Sequence, residues 1–131
     1  SGLFGRVCLS GEVVTLPPEK MKLVREGLEF YEQAKEIIRF GQITRVETNI
    51  NYYRRPNGWQ IYEKKHNGKR LVIVHCPQTE GCAEVRVPLE GYTVERAYTD
   101  LEYKEEKGEL VIRCTSCSAG AFLLKDVGAN R

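Results

Sequence analysis

Pro17-Pro-Glu-Lys-Met-Lys-Leu-Val-Arg-Glu-Gly-Leu-Glu-Phe-Tyr-Glu-Gln-Ala-Lys-Glu-Ile-Ile-Arg-Phe-Gly41 is the stretch on which the fold turns, because a long helical period ends there and a strand period begins. Met21, Val24, Leu28, Tyr31, Ala34 and Ile38 recur every three or four residues. Leu23, Phe30 and Ile37 widen that stripe into a broad face that needs a partner. Proline is tolerated in a first turn and Glu19 would sit at the positive end of the helix dipole, so the helix is expected to begin near Pro18. Gly27 inside it costs about 1 kcal/mol relative to alanine, which points to close packing against a neighbouring element. Gly41 reads as a left-handed C-terminal stop.

Ahead of the helix, Phe4-Gly-Arg-Val-Cys-Leu-Ser10 reads as a short buried strand. Beyond Gly41 the sequence breaks into extended runs at Ile43–Tyr53, Trp59–Lys65, Leu71–His75, Ala83–Val87, Thr93–Asp100, Glu109–Cys114 and Ala121–Lys125, predicting seven strands. Turn signals separate them at Arg55 to Gly58, His66 to Lys69, Pro77 to Gly81, Glu90-Gly91 and Glu105 to Gly108. Asn67-Gly68 is the best hairpin turn, since both residues accept positive φ. The expected fold is therefore α+β and mainly β: one N-terminal strand and a long helix, followed by an antiparallel β-sandwich. No internal repeat, low-complexity tract or linker interrupts it.

A length of 131 residues bounds the chain to one compact core. With 41% hydrophobic and 29% charged residues, it has the composition of a soluble globular protein. A net charge of +2 gives no field that would steer it to nucleic acid or an anionic membrane. The basic pairs Arg54-Arg55, Lys64-Lys65 and Lys69-Arg70 are offset by Glu102, Glu105 and Glu106, and read as a solvated face. No apolar run reaches the roughly 18 to 20 residues that cross a bilayer, so no membrane partner is expected. Five cysteines cannot all pair within one chain, which favours reduced thiols and a cytoplasmic location.

Gly5-Arg-Val-Cys-Leu-Ser-Gly-Glu12, Leu16-Pro-Pro-Glu19 and Val24-Arg-Glu-Gly-Leu-Glu-Phe-Tyr31 together resemble the end of the catalytic barrel in the bacterial α-galactosidases (melibiases), glycoside hydrolases of clan D. In that family a strand ends in Ser-Gly-Asp and a helix carries Glu-Gly-hydrophobic-x-Phe-Tyr; this chain has Glu12 where the acid is more often aspartate. Gly58-Trp59-Gln60, Leu71–His75 and Ser118–Leu124 resemble strands of the family's following sandwich. The resemblance implies that residues 1–41 are the last strand–helix unit of a TIM barrel and residues 42–131 a C-terminal accessory sandwich. Barrel active sites lie at the C-terminal ends of the strands, so Ser10, Gly11 and Glu12 would stand at the rim of the sugar pocket in the intact enzyme. Retaining glycosidases need two carboxyl groups ~5 Å apart. The family's Lys-Trp-Asp-x-Asn nucleophile motif does not occur, and Trp59 is the one tryptophan. The resemblance thus implies a chain that completes and stabilises a catalytic barrel without catalysing by itself. Its partner would be the remainder of that barrel, its substrate in the intact enzyme an α-galactoside, and no cofactor or metal is implied. Part of the helix stripe is expected to be exposed, or covered by a second copy of the chain in a homo-oligomer.

Other chemistry competes with bland readings. Cys114-Thr-Ser-Cys117 with Cys76 and Cys82 suggests a zinc set, but the Cys76–Cys82 spacing is too wide and buried thiols are favoured. His75 with a nearby cysteine would suit thiolate catalysis; a strand-end histidine is the simpler reading. Trp59 and the tyrosines at 52, 53, 62, 92, 98 and 103 could stack on sugar rings, which would make the chain an independent carbohydrate-binding module. They are also what fills a sandwich core, with Trp59 expected where the sandwich meets the helix.

Overall fold

The computed structural model describes residues 16–48, 58–78, 83–115 and 118–127. The strand expected at residues 4–10 lies outside them, as does the second half of the run expected at Ile43–Tyr53. Among the described residues one helix, α1 (Pro18–Phe40), precedes eight strands: β1 (Gln42–Thr48), β2 (Gly58–His66), β3 (Lys69–Gln78), β4 (Ala83–Pro88), β5 (Tyr92–Thr99), β6 (Glu102–Glu106), β7 (Glu109–Cys114) and β8 (Ser118–Asp126). They form a five-stranded sheet in the order β1-β2-β3-β8-β5 and a three-stranded sheet in the order β4-β7-β6. All the pairings are antiparallel.

Leu71-Val-Ile-Val74 of β3 and Ala121-Phe-Leu-Leu124 of β8 set this arrangement. A strand shows alternate side chains to opposite faces, so an unbroken apolar run must be covered on both. Val72, Val74, Phe122 and Leu124 point into the space between the sheets, where they join Ile61, Val85, Val87, Leu110 and Ile112 in one core. Leu71, Ile73, Ala121 and Leu123 point the other way and meet Phe30, Ala34, Ile37 and Ile38 of α1. The helix therefore lies on the outer face of the larger sheet, forming a third layer.

α1 starts at Pro18, as its sequence predicts, and is about 34 Å long at 1.5 Å per residue. Five strands span about 19 Å, and the helix reaches from β2 to β5 across the sheet. Its C-terminal half crosses β2, where Lys64 donates to the carbonyl of Ile38 (3.0 Å). Nearer its start it meets β5, where Arg96 pairs with Glu29 (3.1 Å) and the Tyr98 hydroxyl donates to the carbonyl of Leu23 (2.7 Å). A β-bulge between Val94 and Arg96 makes this possible. The extra residue reverses the alternation, so that Val94 and Ala97 pack into the sandwich while Arg96 and Tyr98 reach the helix. Gly27 is the seat for that tyrosine: a Cβ there would stand 3.1 Å from the Tyr98 hydroxyl oxygen and 3.2 Å from the adjoining ring carbon.

Two expectations need correction. Gly41 is not left-handed; its φ of −70° and ψ of 153° are extended. Glycine is required there by close approach, since its N–H donates to the Ile37 carbonyl at 2.7 Å and a Cβ would fall 2.3 Å from the same oxygen. Seven strands were too few as well. β6, Glu-Tyr-Lys-Glu-Glu, carries only one apolar side chain and lies mostly exposed at an edge, so it shows no apolar alternation to betray it. Asn67-Gly68 (φ 47° and 74°) forms the expected hairpin turn, and Lys107-Gly108 (φ 51° and 76°) repeats it between β6 and β7.

Replacing Gly41 by alanine is expected to lower unfolding free energy by about 2 kcal/mol, in the range of forced overpacking. Gly68→Ala, where no atom lies within 4 Å of the added Cβ but φ is positive, is expected to cost about 1 kcal/mol. Urea denaturation of the two variants checks the order.

Candidate functional site

Ser10, Gly11 and Glu12, the expected pocket rim, lie outside the described residues. Trp59 is described, and it is half-buried against the core between the sheets. It does not sit at the junction of sandwich and helix, which is a correction; its strand neighbours Ile61 and Glu63 share its face, so β2's alternation turns it inward. Tyr92 packs on the same core, and Tyr98 on the core beneath the helix. These rings fill the protein more than they offer flat faces outside it.

Most of the described carboxylates are engaged in ion pairs and hydrogen bonds of structural kind. Glu63 is buried and paired with the buried guanidinium of Arg70. Thr44 donates to its second oxygen at 2.7 Å. Arg70 also donates to the carbonyls of Leu89 (2.7 Å) and Pro88 (3.0 Å), and lies 4.9 Å from the centre of the Tyr92 ring. This group closes one end of the sandwich by tying β2 and β3 to the corner between β4 and β5. Burial disfavours charge on Glu63, but the hydrogen bonds from Arg70 and Thr44 and the charges of Arg70 and Arg45 outweigh it and hold the carboxyl below its ordinary range.

Cys76 from β3 and Cys114 from β7 meet in the core, one from each sheet, both buried free thiols. Burial, then the hydrogen bond and charge of Cys76, push the Cys114 thiol well above its ordinary value. Such a thiol is a poor nucleophile. His75 is exposed on the opposite face of β3 from Cys76, so these two do not form a dyad. His66 instead pairs with Glu36 (3.4 Å) and lies against the Phe40 ring. Cys82 and Cys117 lie outside the described residues, and among those described no three His, Cys, Asp or Glu side chains converge on a metal position.

A second apolar set lies on the side of α1 away from the buried one. Met21, Val24, Leu28 and Tyr31 follow a spacing of three, four and three residues, which puts them within about 80° of one another around the helix. The sheet buries a different set, Phe30, Ala34, Ile37 and Ile38; Leu28 on the second side is 38% exposed, Met21, Val24 and Tyr31 are half-buried, and Leu23, about 140° around the helix from Leu28, is 47% exposed. This flank, with Leu28 its exposed member, is the candidate docking surface, and it is assembled from the stripe that the sequence singles out.

No protein-family model matches the chain, and no curated protein matches it. Solved structures similar to it include two alpha-amylases. An alpha-amylase from H. orenii is 13% identical with a TM-score of 0.51, over 81% of this chain and 20% of that one. An Anoxybacillus alpha-amylase, reported as giving insight into a new glycosyl hydrolase subclass, is 15% identical with a TM-score of 0.57, over 86% of this chain and 24% of that one. At these identities the likeness is one of fold alone. The chain spans about a fifth to a quarter of the length of those amylases. Neither is an α-galactosidase. Among the described residues no helix is long and apolar enough to cross a membrane.

Arg70→Met would strand a buried carboxylate and is expected to cost about 3 to 5 kcal/mol, most of it recovered when Glu63 is also made apolar. Because the folded pKa of Glu63 is depressed, its contribution is full above the ordinary glutamate range and lost as pH falls through the depressed value. The stability gap between wild type and Glu63→Gln should accordingly narrow between neutral pH and about pH 3 in urea titrations. Mass-mapped alkylation at about pH 8, near the ordinary thiol pKa, should leave Cys114 unlabelled until the protein unfolds.

Proposed function

We propose that this chain is an accessory module of a glycoside hydrolase, a sandwich that packs against and stabilises a catalytic barrel and does not itself cleave the substrate. The observation that carries the reading is the second apolar flank of α1, with Leu28 exposed, on a helix whose other side is already satisfied by the sheet. Helices of a barrel pack against neighbouring helices as well as the strands they cover, which is what a second apolar flank suits. The likeness of fold to part of two alpha-amylase chains supports the same role. On this reading residues 1–41 are the barrel's last unit, the remainder of that barrel is the partner, and Ser10, Gly11 and Glu12 contribute to the sugar pocket. The finer assignment to α-galactosidases rests on the sequence resemblance of residues 5–31. The odd cysteine count and the buried free thiols favour the cytoplasm.

The test compares Leu23→Ser/Leu28→Ser in two settings. In the chain by itself the change should alter stability by less than about 1 kcal/mol, because both side chains are already exposed. In a hydrolase polypeptide carrying this module it should lower the thermal midpoint by several degrees, at about 2 to 4 °C per kcal/mol. Equal effects in both settings would reject the docking role. Assaying that polypeptide on an α-galactoside and on starch decides the substrate, and binding of raffinose or maltooligosaccharides by the isolated chain through Trp59 would favour a carbohydrate-binding module instead.

A further inference from the structure

The two ends of the sandwich carry different chemistry. At one, Arg70 near the start of β3 holds the carbonyls of Pro88 and Leu89, where β4 ends. Cys76 stands on the same strand about 20 Å further on, at the rise of an extended chain. Facing it from the smaller sheet is Cys114, the last residue of β7. Cys76 lies opposite Ser118 and Cys114 opposite Ala83, so the pair marks the end at which β8 and β4 begin. Both side chains are fully buried in the core between the sheets, and a hydrogen bond joins the two thiols.

A buried cysteine by itself behaves as a small hydrophobe. Two that meet from facing sheets can do more, because a disulfide needs only that the sulfurs close to about 2.05 Å over Cα atoms less than about 7 Å apart. The thiol hydrogen bond already brings the sulfurs into contact. Cys114 ends its strand, where the backbone can yield the remaining distance more readily than in mid-ladder. Strands β3 and β7 belong to different sheets and share no ladder, so the bond would tie them directly. It would also close a loop of about 40 residues, long enough to restrict the unfolded chain substantially. A cystine between sheets with a tryptophan beside it is one way in which β-sandwiches are fastened, and Trp59 packs on the cluster that holds both thiols.

We propose that Cys76 and Cys114 close into a reversible inter-sheet disulfide, a redox-controlled lock on the end of the sandwich away from Arg70. The oxidant is a small-molecule disulfide such as oxidised glutathione. One protein thiol, deprotonated, attacks a sulfur of that reagent and expels one glutathione thiolate. The other, deprotonated in turn, attacks the protein sulfur of the mixed disulfide and expels the second. Two protein thiols thus lose two electrons and two protons, and one glutathione disulfide becomes two glutathione thiols. Burial keeps the reagent out of the closed core, so exchange proceeds when that end of the sandwich opens, and the thiols stay reduced between openings. The lock is independent of the hydrolase reading, since it rests on the core between the sheets and not on α1.

The test uses the full chain and its variant Cys8→Ser/Cys82→Ser/Cys117→Ser, in which this pair is the only one left to oxidise. Each is incubated folded with oxidised glutathione, and each is separately refolded from urea in a glutathione redox buffer, so that slow opening of the fold cannot hide the outcome. Peptide mapping should find Cys76 joined to Cys114 in both arms. The thermal midpoint should rise by roughly 10 °C on oxidation, the size expected for a loop of this length, and dithiothreitol should return it to the reduced value. Cys114→Ala placed in the triple-serine variant should show no such rise. Thiols that stay free in both arms, a lasting glutathione adduct, or a linked protein no more heat-stable than the reduced one overturns the proposal. So does a link in the full chain that runs to Cys8, Cys82 or Cys117 instead. A disulfide formed on refolding but never in the folded chain overturns the lock as well, because it would then be set once and not switched.

Discussion

Two strands with no polar side govern this molecule. Leu71 to Val74 and Ala121 to Leu124 lie next to one another at the centre of the larger sheet, and each presents apolar side chains to both faces. A single sheet can hide one face at most, so the chain must supply a cover for each. It does so with chemically different material: a second sheet on one side, and on the other a helix laid across the strands. The bulge in β5 serves the same end, turning Arg96 and Tyr98 toward the helix without withdrawing Val94 and Ala97 from the sandwich.

Charge enters where those layers end. Arg70 and Glu63 sit among apolar neighbours, a placement that contributes little to net stability even when well paired, because both ions lose their water. Their value lies in connection: the guanidinium holds two carbonyls of the loop leading into β5, so the two sheets are fastened at that end by directional bonds. Lys64 does the same for the third layer, reaching a carbonyl in the last turn of α1 that has no intrahelical partner. Specific geometry is thus imposed at the margins of a core whose apolar contacts are themselves non-directional.

Most of the fold was legible in the sequence because it depends on periodicity and turn chemistry. The helix start, the three residue pairs ending in glycine that take positive φ, and seven of the eight strands all leave local marks. β6 leaves none, being a polar edge whose pairing with β7 is decided by tertiary context. Gly41 was legible as a stop but not in its reason, since the clash with the Ile37 carbonyl depends on a turn into β1 that sequence does not display. Gly27 was read correctly as a packing glycine, while the identity of its neighbour, Tyr98, lies 71 residues away. The candidate surface was half legible. The stripe from Met21 to Tyr31 was evident, but its overlap with the Phe30–Ile38 set concealed that two faces were being read as one. The pocket-rim residues lie outside the described residues, and so the resemblance that singled them out is neither strengthened nor weakened by the fold.

The division of α1 into two faces bears on why such a helix is as long as it is. An isolated helix of fewer than about 12 to 15 residues is marginal in water, and a longer one still gains most of its stability from packing. Here the buried residues begin at Phe30, so the sheet anchors the C-terminal half by apolar contact. In the N-terminal half, among the described residues, Tyr98 packs on Gly27 and donates to the Leu23 carbonyl, and Arg96 pairs with Glu29, the two polar links being exposed to solvent. Links of that kind position a segment more than they stabilise it. A chain selected only to cover its own sheet would need no more than the turns around Phe30 to Ile38. The additional turns, with Met21 and Val24 half-buried and Leu28 exposed along one side, are the part of α1 that the proposed docking role draws on, with the sheet as the support from which it would be presented.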